Sequence, residues 1–70
     1  MSYESFKNIV NDISDKAKIN ENPDIFEDFD KGLYIAIFPS GIKITGSKTK
    51  LNLTVRWGSG HQAMVPLRAL

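Results

Sequence analysis

The stretch Leu33-Tyr34-Ile35-Ala36-Ile37-Phe38-Pro39-Ser40-Gly41-Ile42-Lys43-Ile44-Thr45 is the most apolar part of the chain, and its reading decides the fold. It predicts two β-strands, over 33–38 and 42–45, joined by a tight turn at Pro39-Ser40-Gly41. Proline presets one turn dihedral and glycine supplies a positive φ. The first strand is apolar at every position, so alternation cannot orient it, and two registers are open. A three-residue loop, a type I turn closed by a glycine bulge, pairs Phe38 with Ile42 and Ala36 with Ile44. Leu33, Ile35 and Ile37 then share the outer face with Lys43, Thr45 and Arg56, an aliphatic ridge beside cations that suits a protein partner. A two- or four-residue loop shifts the pairing by one and turns the strand over.

In that second register Tyr34 and Phe38 stand outward beside Lys43, Thr45, Asn52, Thr54 and Arg56. Rings interleaved with cations suit single-stranded nucleic acid, because bases stack on the rings while phosphates meet Lys and Arg. Such a face resembles an RNA-binding sheet in composition, without the glycine–aromatic signatures of that family.

Working outward, residues 46–50 read as a polar basic hairpin tip carrying Lys48 and Lys50. Leu51 to Trp57 alternates cleanly, with Leu51, Leu53, Val55 and Trp57 on one side and Asn52, Thr54 and Arg56 on the other. Gly58-Ser59-Gly60 suits a three-residue loop whose last position needs positive φ. That loop pairs Trp57 with His61, Val55 with Ala63, Leu53 with Val65 and Leu51 with Leu67. Pro66 lacks a donor, which assigns the last strand to an edge.

Upstream, Ser2 is a suitable N-cap with Glu4 in the first turn. Tyr3, Phe6, Ile9, Val10, Ile13 and Ala17 recur at helical spacing, and Glu4–Lys7, Asp12–Lys16 and Asp15–Lys18 lie on the opposite face. The expected helix covers about residues 3–18. Residues 20–32 then read as an acidic loop or short helical turn, started by Asn22-Pro23-Asp24. The predicted class is α+β: a single domain over 1–70 in which an N-terminal amphipathic helix packs on one face of a four-stranded antiparallel meander (33–68).

Composition limits the function. Seventy residues without cysteine allow neither a disulfide framework nor a thiolate zinc site. No apolar run approaches the roughly 20 residues that span a bilayer, and the N-terminus is no signal peptide, so a cytoplasmic protein without a membrane partner is expected. The net charge of +1 conceals a split. Residues 1–32 hold all eight acids against four lysines, whereas residues 33–70 hold Lys43, Lys48, Lys50, Arg56 and Arg68 and no acid. Such asymmetry points to an acidic or polyanionic partner for the basic half; the other reading is that the two halves neutralise each other.

Catalytic signals are thin. Asp24, Glu27, Asp28 and Asp30 lack the alternate ligand spacing and central glycine of a calcium loop. Gly41 to Thr49 misses the phosphate-loop pattern, since Ser47 separates Gly46 from Lys48 and a strand follows. Asn52-Leu53-Thr54 matches a glycosylation acceptor, which carries no weight without a secretory signal. No cofactor motif is present. His61, the single histidine, could serve a small ribonuclease with Arg56 and Lys50, but catalysis needs a constellation, and the ordinary reading is a structural or solvent-facing side chain.

The expectation is therefore a small non-enzymatic binding protein. It would act through a basic sheet face (Lys43, Lys48, Lys50, Arg56, Tyr34 and Phe38) on a protein or nucleoprotein partner with an acidic surface. By size class alone it would suit an inhibitor of viral or mobile-element type, anti-CRISPR-like. Direct weakly specific binding of RNA or single-stranded DNA is the alternative, and the His61 ribonuclease-like toxin a second. Exposed edge strands leave either a monomer or a homodimer by sheet extension.

Overall fold

The computed structural model describes residues 1–49, 52–58 and 60–66. Within them, one helix, α1 (Tyr3–Lys16), precedes five strands: β1 (Asp24–Asp28), β2 (Leu33–Ile37), β3 (Lys43–Ser47), β4 (Asn52–Arg56) and β5 (Gln62–Pro66). The strands form one antiparallel sheet in the order β1-β2-β3-β4-β5, a meander, so the class is α+β as expected. The sheet has one strand more than the sequence reading supplied.

Helix α1 begins where Ser2 caps it, its hydroxyl accepting from the Ser5 amide at 3.1 Å. It ends at Lys16 with Ala17 as its C-cap, just short of the expected limit and well before Pro23. Lys18 adopts φ 56°, its amide donates to Asp15 O, and the Ile19 amide donates to Ser14 O. That pair of reversed hydrogen bonds is a Schellman ending, here with lysine where glycine is usual. The predicted stripe largely holds. Phe6 and Val10 are fully buried and Ile9 and Ile13 half-buried, while Tyr3 and Ala17 at the two ends are exposed. Of the three expected helix ion pairs, Asp12–Lys16 forms, at 3.8 Å.

Both loops around the central strands have the three-residue form. The Gly41 amide donates to Phe38 O at 2.9 Å, the Phe38 amide donates to Ile42 O at 2.8 Å, and Gly41 has φ 100°. At the other hairpin the Gly60 amide donates to Trp57 O and Gly60 has φ 94°. The register follows. Ala36 pairs with Ile44 and Ile37 with Lys43, while Leu53 pairs with Val65 and Val55 with Ala63. The expected Leu51–Leu67 pair lies outside the described residues. β5 is an edge strand, as Pro66 required.

The region expected as an acidic loop or helical turn is instead β1. Ile25 pairs with Ala36 and Glu27 with Tyr34 on the helix side, and Phe26 pairs with Ile35 on the other. Asp28 Oδ1 accepts from the Lys31 amide, and Gly32, at φ 64°, completes the turn into β2. Three acids in five residues give β1 a low intrinsic strand propensity. It becomes a strand by pairing along β2, whose otherwise open edge presents unpaired backbone N–H and C=O groups.

The core lies between α1 and the inner sheet face, where Phe6 and Val10 meet Tyr34, Ala36, Phe38, Ile44, Leu53 and Val55. Phe6 stacks on Tyr34 with ring centroids 5.5 Å apart, and Tyr3 meets Tyr34 edge-on at 6.1 Å. Gly46, expected at the start of a polar tip, is a buried β3 residue on which Phe6 rests. A Cβ there would stand 2.8 Å from Leu53 Cδ2 and 3.0 Å from Phe6 Cδ1. Glycine therefore lets the helix approach the strand backbone.

A candidate interaction face

Strand pairing places residues from all five strands on the face opposite α1. One row across it runs Asp24, Ile37, Lys43, Arg56 and Gln62. The next runs Phe26, Ile35, Thr45, Thr54 and Met64. A third begins Asp28, Leu33 and Ser47. Nothing among the described residues covers this face. Phe26 is 44 %, Ile37 39 % and Met64 68 % exposed, while Ile35, between Phe26 and Thr45, is 8 % exposed. Shallow grooves lined by Leu33, Thr45, Thr54 and Met64 and by Lys43, Arg56 and Gln62 run over it.

Two predicted site residues stand together here. Lys43 and Arg56 are direct cross-strand partners, and like charges in that relation repel. Among the described residues neither forms an ion pair with a carboxylate; the ion pairs there are Lys16–Asp12 and Lys48–Glu27.

The other predicted residues are elsewhere. Tyr34 and Phe38 are 6 % and 1 % exposed and pack under α1. The three-residue loop directs them inward, which removes the ring platform expected for nucleic acid. Lys48 is not a free tip either. It lies past the end of β3, its amide donating to Gly32 O and its carbonyl accepting from the Met1 backbone nitrogen at 2.8 Å. Its ammonium pairs with Glu27 on the helix side of the sheet, 5.0 Å from the Phe29 ring centroid and 5.7 Å from that of Tyr34. The hydrogen bond to Glu27 raises the Lys48 pKa above the ordinary lysine value, aided by the Glu27 charge and opposed by desolvation. Lys48 therefore fastens the β1–β2 turn to the end of β3. Lys50 lies outside the described residues.

His61 is exposed opposite Trp57, whose amide donates to His61 O at 2.9 Å. The acidic cluster weighed for calcium is divided by strand alternation. Asp24 and Asp28 face outward and Glu27 inward, and no metal-holding group of His, Cys, Asp or Glu occurs among the described residues. No described helix is long and apolar enough to cross a membrane.

Sequence reasoning missed Asp24, Phe26, Asp28 and Met64 on this face. A partial signal for the first three was present: a strand apolar on both sides suits a central position, and Ile25 and Phe26 within residues 23–30 offered apolar groups for a neighbouring strand. With them the face is not uniformly basic. It carries acids on β1, an aliphatic column on β2 and cations on β3 and β4. Comparison with known protein families, curated proteins and solved structures gives no match for this chain.

Proposed function

We propose that the chain is a non-enzymatic interaction module whose outer sheet face engages a protein or nucleoprotein surface and works by occluding it. One observation carries this reading. Uncovered Ile37 lies directly beside a Lys43–Arg56 pair that has no carboxylate partner among the described residues, and uncovered Phe26 stands on β1 in the neighbouring row. Apolar area beside unneutralised charge gives a surface both a driving force and an orientation for association. A fitting partner presents an apolar patch bordered by acidic groups where Lys43 and Arg56 arrive. Burial of Tyr34 and Phe38 favours such a partner over single-stranded nucleic acid, since stacking supplies much of the affinity for unpaired bases. Occlusion of a larger machine by a chain of this size is an analogy of size class.

The test is comparative capture by the immobilised wild-type chain, by the triple variant Ile37→Asp/Lys43→Glu/Arg56→Glu, and by Lys7→Glu on the exposed side of α1. Proteins retained by the wild type and Lys7→Glu but lost by the triple variant support the reading. Equal capture by all three chains overturns it.

A further inference from the structure

We infer that the first occupant of the outer face is a second copy of this chain, packed sheet to sheet about a two-fold axis parallel to the strands and passing over β2. The inference rests on the reading of this face as the interaction surface and names its partner. A two-fold interface must be complementary to itself. The outer face meets that condition through its charge order. Its apolar column, Leu33, Ile35 and Ile37, has carboxylates on one side, at Asp24 and Asp28, and cations on the other, at Lys43 and Arg56.

Rotation about an axis over β2 leaves each row in place and exchanges β1 with β3. Ile37 then meets Ile37 of the second copy, and Asp24 meets Lys43 of the second copy, once on each side of the axis. Phe26 comes over Thr45. Asp24 and Lys43 belong to one row but are separated by β2, so within a single chain they lie roughly 10 Å apart at ordinary strand spacing. Across the dimer the same two charges become neighbours. A uniformly acidic partner would instead place its carboxylates against Asp24 and Asp28.

The area sets the strength. The overlap centred on β2 covers β1, β2 and β3, roughly 14 by 16 Å, or about 220 Å² in projection on each copy. That is small for a specific interface, so the dimer is weak and reversible and is populated only at high chain concentration. Any other protein using the face must compete with it.

Sedimentation velocity over about 10 μM to 1 mM chain tests the inference, using the wild type, Asp24→Lys, Lys43→Asp, Ile37→Asp and an equimolar mixture of Asp24→Lys with Lys43→Asp. The wild type should shift from monomer towards dimer across that range. Each single reversal places like charges at both symmetric contacts and should raise the dissociation constant by roughly 10-fold or more. In the mixture both contacts are restored. The lysine introduced at position 24 of one chain faces the aspartate introduced at position 43 of the other, and native Lys43 faces native Asp24. The mixed dimer should therefore form at wild-type concentrations. A variant that merely failed to fold could not be rescued this way. Three outcomes overturn the inference: a wild type that stays monomeric throughout, a dimer that survives Ile37→Asp, or a mixture that stays monomeric. A monomeric wild type that still captures a protein lost by the triple variant would overturn self-association alone and leave the interaction-face reading standing.

Discussion

Adding one methyl group at Gly46 should loosen the whole molecule. A Cβ there would meet Leu53 Cδ2 at 2.8 Å and Phe6 Cδ1 and Cε1 at 3.0 and 3.1 Å, where carbon atoms normally rest at about 3.5–4.0 Å. Phe6 and Leu53 have no exposed surface, so neither can withdraw without displacing the core. Overpacking of this kind costs about 1–3 kcal/mol. Alanine offsets about 0.5 kcal/mol by restricting the unfolded chain, leaving a net loss of about 0.5–2.5 kcal/mol. A domain of this size has only about 3–5 kcal/mol to lose. With a urea dependence near 1 kcal/mol per molar, Gly46→Ala should lower the unfolding midpoint by about 0.5–2.5 M. Far-UV circular dichroism and Trp57 fluorescence would follow the transition. In a Phe6→Leu background, where the ring atoms are gone, the same substitution should cost at least about 0.5 kcal/mol less, on the order of the coupling between touching residues. An unchanged or raised midpoint for Gly46→Ala, or full additivity with Phe6→Leu, would refute the close seating of α1 on β3.

Three further outcomes follow from other parts of the fold. Lys18→Gly relieves a left-handed backbone at the Schellman ending and should add about 1 kcal/mol, seen as a melting temperature higher by about 4–8 °C; no rise would mean that Lys18 bears no strain. Phe38→Ala should cost about 3–5 kcal/mol and leave the chain largely unfolded, whereas exposed Ile37→Ala should cost about 1 kcal/mol or less; the reverse order in urea titrations would place the β2–β3 register in its other form. Because the Lys48 pKa is raised on folding, the stability contributed by its ammonium is present in full below the ordinary lysine value and lost as pH rises through the folded value. The wild type should therefore lose its advantage over Lys48→Met above about pH 10.4, and parallel stability curves through that range would contradict the Glu27 contact.

Much of this fold was legible in local chemistry. The Ser2 cap, the Phe6–Val10 spacing and the 57–61 hairpin follow from residues within a few positions of one another, where backbone sterics and hydrogen-bond reach leave few solutions. The last hairpin was especially constrained, because Gly58 to Gly60 sets a loop length and the alternation on both sides agrees with it. The helix was expected over about residues 3–18 and ends two residues sooner, because the chain turns at Lys18 through backbone hydrogen bonds that carry no sequence marker without glycine.

The face itself was decided by tertiary structure. Pro39-Ser40-Gly41 permits more than one loop length, and β2 is apolar on both sides, so sequence could state the two registers but not choose between them. The choice came from the packing of Tyr34, Ala36 and Phe38 under α1, with Phe6 stacked on Tyr34 and Gly46 allowing the helix to sit close. β1 likewise has little strand propensity alone and forms by pairing with β2, and that pairing brings Asp24 into one row with Lys43. Sequence determined the acidic and basic halves, the helix and the hairpins, because those depend on near neighbours. Which side of the sheet each charge occupies depended on register and on strands far apart in the chain, and only the folded arrangement supplies those.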